Sequence, residues 1–229
     1  MARKAHFSRK LFSFLRELKD NNERAWFEAN KERYVSDVRD PMLAFIGDFG
    51  VRLARISSHF VADPRSHGGS MFRIYRDTRF SKDKSPYKVM AAAQFRHEAG
   101  KDVHAPGFYL HLEPGSVFMA AGLWHPDAPT LDQVRHAIVR KPKEWKRITT
   151  SRPLLAQARF EGEALKRPPR GFDPEHELIE DLKRKDFVSV STTTERNACA
   201  PDFMDRFAKI CRANAKYMEF LTRAVGLRW

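Results

Sequence analysis

A chain of 229 residues with 42% hydrophobic and 12% aromatic residues, 18 of them Phe, has ample material for a sizeable core, which excludes a disordered class. No apolar run approaches bilayer-spanning length, and the opening MARKAHFSRKLFSFL has no sustained apolar segment or small-residue cleavage site, so a soluble cytoplasmic protein without a membrane span is expected. The formal charge of +13 predicts attraction to polyanions, which speaks to association and not to sequence reading.

No Pro/Gly/Ser-rich linker or repeat divides the chain, so residues 1–229 are read as one domain. Ser8 is a fair N-cap for a helix with Leu11, Phe14, Leu15 and Leu18 on one face, ended by Asp20-Asn21-Asn22. A second helix is predicted from about Glu23 through Trp26, Phe27, Asn30 and Tyr34. Asp40-Pro41 then opens a third, with Leu43, Ile46, Phe49, Leu53 and Ile56 as its core stripe. Asn21, Asn22 and Asn30 read as capping and turn residues. This helical quarter is expected to pack on the sheet that follows.

The stretch from Ser70 to Lys88 concentrates charge. Met71 to Tyr75 reads as a strand, with Arg73 and Arg76 starting on opposite faces; Asp77-Thr78-Arg79 reads as a turn, and Ser85-Pro86 as extended chain. Six basic residues (Arg73, Arg76, Arg79, Lys82, Lys84, Lys88) stand against two acids, Asp77 and Asp83. Arginine offers a planar fork for phosphate or carboxylate and lysine a mobile point charge. The loop therefore reads as an anion clamp built on Arg73, Arg76, Arg79 and Lys84, with Asp77 or Asp83 orienting an arginine, Asp77 as orienter or base, and the Tyr87 hydroxyl as a further donor. The same charges serve equally well as an ion-pair network that pins an irregular loop to a sheet. Lys82 and Lys88 are read as solvated.

The order Arg73-Ile-Tyr-Arg76-Asp77-Thr-Arg79-Phe80, followed by Lys84 and Tyr87, resembles the signature RxxRDxRFxxxKxxY of a bacterial and partly fungal family catalogued as domain of unknown function 2461. Asn21-Asn22 with Trp26-Phe27, Pro86 to Lys88, and Gly122-Leu-Trp-His-Pro126 extend the resemblance over most of the chain. It implies a bacterial protein and brings with it no activity, substrate or cofactor.

Three further strands are predicted: Val89 to His97, Gly107 to Glu113 and Ser116 to Trp124, the last two forming a hairpin about Pro114-Gly115. On the middle strand Phe108, Leu110 and Leu112 alternate with Tyr109, His111 and Glu113, one face core and the other polar. His111 and Glu113 form a secondary catalytic candidate, an acid or base with a carboxylate beside it. His97, His104, His111 and His125 match no metal-ligand spacing, and no metal site is assigned. Ala91-Ala92-Ala93 and Ala120-Ala121-Gly122 leave space over the sheet, for which a closely packed helix is the expected filler and a ligand the alternative.

Helices are predicted at Leu131 to Val139 behind a Thr130 cap, Lys143 to Ile148, Leu154 to about Arg159, Pro174 to Lys183, and a final one from about Pro201 that carries Phe203, Phe207, Ile210, Cys211, Met218 and Leu221; Asp186 to Thr193 reads as a strand. Lys166 to Gly171 is a basic loop. Cys199 and Cys211, twelve residues apart, read as thiols and not as a disulfide.

The fold expected is α+β, a central, mostly antiparallel sheet with helical N-terminal and C-terminal layers. Three functional readings stay open. The first is a pocket protein, enzyme or not, that binds an anionic small molecule through the signature loop. The second is a nucleic-acid-associated basic protein, and the third a purely structural signature with function on a partner surface. No nucleophile is paired with its base. Cofactor and oligomeric state are left open.

Overall fold

Ser8 caps the first helix as its sequence dictates, its Oγ accepting from the Lys10 N–H at 3.3 Å; α1 (Arg9–Asp20) then buries Leu11, Phe12, Phe14, Leu15 and Leu18. The computed structural model describes residues 5–100 and 105–229. The single second helix expected from Glu23 is instead α2 (Arg24–Ala29), α3 (Lys31–Tyr34) and a π-helical turn, Val35–Arg39, before α4 (Asp40–Ala54). Asn30 ends α2, with its N–H and its Nδ2 both on the Trp26 carbonyl, at 3.1 and 2.9 Å. Pro41 has no N–H to return to the turn before it, and there the backbone widens to π geometry.

The predicted strand Met71 to Tyr75 does not form as a ladder. Ser70 and Phe72 edge the sheet through Gln94 N to Ser70 O (2.8 Å) and Phe72 N to Ala92 O (2.9 Å), with one bridge from Met71 to Ala93. The chain then turns off and pairs with itself, Lys88 N to Ile74 O (2.7 Å) and Arg76 N to Pro86 O (2.9 Å), which closes the charged loop.

The sheet is antiparallel throughout, in the order β1-β2-β3-β5-β4. Its first three strands are β1 (Ala91–Arg96), β2 (Gly107–Glu113) and β3 (Ser116–Leu123), and Gly115 makes the β2–β3 turn with φ +80°. Next come α5 (Ala128–Arg140), α6 (Pro142–Thr149) and α7 (Arg152–Leu155). Asp127, and not Thr130, caps α5, its carboxylate accepting from the Thr130 N–H at 2.9 Å. β4 (Arg159–Glu161) falls where a helix was expected to end; three residues are too few to show a period of two. α8 (Ile179–Leu182) is shorter than predicted and leads into β5 (Phe187–Thr193) and α9 (Glu195–Ala198). The predicted last helix is two, α10 (Phe203–Ala213) and α11 (Ala215–Ala224), meeting at Asn214. Asn214 is buried, accepts from the Ser189 hydroxyl on β5 and donates to the Ile210 carbonyl at 2.9 Å, a tertiary bond invisible in the helical pattern.

The strand register assigns every sheet residue to a face. Ala93, Phe95, Leu110, Leu112, Met119 and Ala121 point inward, against α1, α4 and α10. Leu123 and Phe187 extend the same face beneath α5, α6 and α11. Tyr109, His111, Phe118, Ala120, Val188 and Val190 point the other way, and none of them enters either helical core cluster. The architecture is thus α+β, with the helical N- and C-terminal parts packed on one side of the sheet. Among the described residues no helix is long and apolar enough to cross a membrane.

Candidate functional site

The outward face of the sheet forms the floor of a hollow of about 750 Å³. Phe72, Tyr109, Phe118 and Trp124 wall it, and Gly107, Ala120 and Gly122 leave its middle low. The two small-residue runs therefore divide. Ala91, Ala93 and Ala121 admit helices, as expected; Ala120 and Gly122 leave room that no helix fills among the described residues. Gly122 also has a backbone reason: at φ +139°, a methyl there would run into the Phe187 carbonyl oxygen.

A hydrogen-bonded line crosses this floor along β2. His111 Nε2 lies 3.0 Å from Glu113 Oε2, and His111 Nδ1 lies 2.9 Å from the Tyr109 hydroxyl. A carboxylate can only accept, so in the neutral imidazole the proton sits on Nε2 and Nδ1 accepts from Tyr109. The ring is buried and stacked on Phe118, with centroids 4.5 Å apart at 17°, which fixes its orientation. Burial, with Glu113 nearby, pushes the Tyr109 phenol up to about 12. The pair expected from the alternation of β2 is in place; Tyr109, read only as part of the polar row, is its third member.

The signature loop pairs both of its acids with its own arginines. Arg79 forks onto Asp77 through Nε and Nη2 at 3.0 and 2.7 Å, and hydrogen bonds from Arg79 hold the Asp77 carboxyl well below the usual carboxylate range. Arg76 pairs with Asp83, which also accepts from the Ser85 N–H and hydroxyl at 2.9 and 2.6 Å. Lys84 Nζ donates to the Thr78 carbonyl at 2.9 Å, and the Arg73 side chain is exposed. Phe80 is 94% exposed, with the Arg79 guanidinium 5.7 Å from its ring centroid.

Two residues of this region differ from their reading. Lys88 is half-buried, not solvated, and donates to the Arg73 and Tyr75 carbonyls at 2.7 and 2.9 Å; burial, then Arg73 and Arg76, lower its ammonium pKa. Asn22 is more than a helix-end residue, since its carboxamide bonds both the N–H and the carbonyl of Tyr87 at 3.0 Å and so pins the loop to the α1–α2 junction. The Tyr87 ring is buried and stacked on Phe27 at 4.1 Å.

Beside the loop lies a depression of about 340 Å³ lined by Lys19, Asn22, Arg76, Asp83, Tyr87, Lys88 and Glu113, among others. It gathers Arg76, Tyr87 and Glu113 from the expected site residues, while Arg73, Asp77, Arg79 and Lys84 do not line it. Lys88, next to Tyr87, and the distant Lys19 and Asn22 complete it.

His97, His111 and His125 do not come together in any metal-ligand group among the described residues. His97 donates Nε2–H to the Arg228 carbonyl at 2.8 Å and accepts from the Ala99 N–H, whereas His125 sits at φ +46° with its N–H on the buried Asp186, at 2.8 Å. Asp186 also accepts from the Glu163 N–H at 3.0 Å and so joins two turns, a role its sequence setting does not signal. His104 lies outside the described residues. Cys199 and Cys211 are free thiols, and burial pushes the Cys211 thiol up.

No curated protein matches this chain. A family model described as a conserved hypothetical protein (DUF2461) matches residues 10–220, a span that takes in the signature loop, the sheet and both hollows, and the chain belongs to that family.

Proposed function

We propose that the protein holds a small molecule on the outward face of its sheet, where Tyr109, His111 and Glu113 orient it or exchange a proton with it. The observation that carries this reading is the placement of the helical core clusters on one side of the sheet, with a hollow of about 750 Å³ on the other. Aromatic walls with few convergent polar groups suit a small organic ligand. A histidine held between a phenol and a carboxylate is an arrangement for acid–base chemistry. Free Cys199 and Cys211 agree with a bacterial cytoplasmic setting.

Ala120→Phe tests the site, because this side chain points into the hollow and not into the core. A fragment library screened by protein-observed NMR is expected to perturb Tyr109, Phe118 and Trp124 in the wild type, and to lose those perturbations in the variant. Perturbations confined to other surfaces, or unchanged by Ala120→Phe, overturn the assignment.

A second reading rests on the depression, where Lys19, Arg76 and Lys88 outnumber Asp83 and Glu113. A phosphate- or carboxylate-bearing ligand would meet Arg76 there, with Arg73, Arg79 and Lys84 adding field and Asp77 orienting Arg79. Arg76→Ala is then expected to abolish stabilisation by one small anion and to leave polyanion binding largely intact. Stabilisation that survives in the variant removes this reading.

A further inference from the structure

The hollow lacks the charge that dominates the rest of the chain. Of 42 Lys and Arg residues, none lines it among the described residues, and Glu161 on β4 is its one carboxylate there. Arg96 and Arg159 stand on the same face of the sheet, paired with Gly107 and Val190, but neither lines the hollow, so an anion held inside it would lie against no lysine or arginine among the described residues.

The Tyr109 hydroxyl and the Glu161 carboxylate point the same way, while Gln94, Ser116 and Thr192 can donate or accept. The Tyr109 hydroxyl proton is committed to His111 Nδ1, because the other imidazole nitrogen is committed to Glu113; toward the hollow the phenol offers lone pairs. Glu161 is exposed at the β4 side and also accepts only. Phe72 stands edge-on to Tyr109 at 5.9 Å and 84°, so the walls include both ring edges and ring faces, and faces attract cations.

Resting on the ligand site proposed above, we infer that its occupant is a planar nitrogen base, which carries N–H donors or a positive charge and lies among the aromatic walls with a donor turned to Glu161 or to the Tyr109 oxygen. The class is set by what the hollow contains, aromatic rings and one carboxylate, with the neutral Gln94, Ser116 and Thr192 able to donate or accept, and by what its lining omits, any lysine or arginine among the described residues.

Three matched probes test the class at one fixed ionic strength: 4-aminoquinoline, quinoline and quinoline-4-carboxylate, titrated by NMR against wild type, Glu161→Gln, Glu161→Lys and Ala120→Phe. A net charge of +13 by itself would favour the carboxylate, so general electrostatics predicts the opposite order. The expected result is 4-aminoquinoline bound at the hollow about tenfold more tightly than the carboxylate, a charge-assisted hydrogen bond being sufficient for that ratio. Glu161→Gln should narrow the gap without changing quinoline itself, and Glu161→Lys should reverse the order. Because Glu161 is exposed on an edge strand, these variants should keep the wild-type melting temperature, which is measured alongside.

Equal or tighter binding of the carboxylate at the wild-type hollow overturns the nitrogen-base assignment and leaves the ligand site standing. The same holds if all three probes are silent there while other library fragments bind. If the library too is silent at the hollow, the ligand site itself falls, and the inference with it.

Discussion

Glu113 Oε2 stands 3.0 Å from His111 Nε2, and this one hydrogen bond joins two hollows, since His111 lines the sheet-face cavity and Glu113 the depression beside the signature loop. The carboxylate sets which imidazole nitrogen carries the proton. Nitrogen-15 spectra of the His111 ring are expected to show the Nε2–H form in wild type and a tautomer mixture in Glu113→Ala. His111→Gln should weaken a hollow ligand by up to about tenfold, as befits a hydrogen bond of net worth about 1 kcal/mol, and should also lower the melting temperature, because the ring it removes is buried against Phe118. An unchanged ring spectrum in Glu113→Ala would contradict the assignment.

Gly122 and Phe187 approach so closely that no side chain fits between β3 and β5 at this point. Gly122→Ala would combine an unfavourable φ with a clash against backbone, which cannot swing aside. A loss of about 3 kcal/mol or more is expected, read by chemical denaturation, or failure to fold. Near-wild-type stability would show that the β3–β5 register is not the one described.

Asn214 and Ser189 form a buried pair between the α10–α11 junction and β5. Asn214→Ala leaves the Ser189 hydroxyl without that partner and should cost about 1–3 kcal/mol. Ser189→Ala placed on top should cost little more, because the group left unpaired is then gone. Additive losses in a double-mutant cycle would mean that the two residues act separately.

Asp77 and Asp83 are both held below the ordinary carboxylate pKa of 3.8, Asp77 by Arg79 and Asp83 by Ser85 and then Arg76. A carboxyl whose folded pKa is depressed contributes fully above its unfolded value, and that contribution is lost as pH falls toward the folded one. Order in residues 76–86 is therefore expected to be constant from pH 7 to about 5 and to decline below about 4. The Arg79 amide resonance followed by NMR checks this. Both groups are exposed, so the effect on global stability should be small. Loosening of the loop already between pH 7 and 5 would rule out these pairs as its clasp.

With a charge of +13, a short DNA duplex should bind in low salt and weaken steeply as salt rises. Arg79→Ala should lower that affinity no more than loss of a remote surface lysine does. A much larger loss, confined to Arg79, would favour a nucleic-acid site at the loop.

What the sequence by itself determined is local and periodic. The amphipathic stripe and Ser8 cap of α1, the Pro114-Gly115 hairpin, and the alternation that puts Tyr109, His111 and Glu113 on one face follow from spacing and from turn chemistry, which neighbours in the chain are enough to enforce. The α+β class followed from those elements, and the signature residues pointed to the family. Tertiary structure decided the rest, because each remaining feature depends on partners distant in sequence. Arg76, Tyr87 and Glu113 share a depression only because Asn22 clamps the loop against the first helices. Met71 to Tyr75 leaves the sheet because Ile74 and Arg76 find their backbone partners in Pro86 and Lys88. Above all, a period of two can say that β2 has a polar face, but not which face the helices cover; the burial of Leu110 and Leu112 beneath α1, α4 and α10 leaves Tyr109 and His111 lining the hollow on the other face.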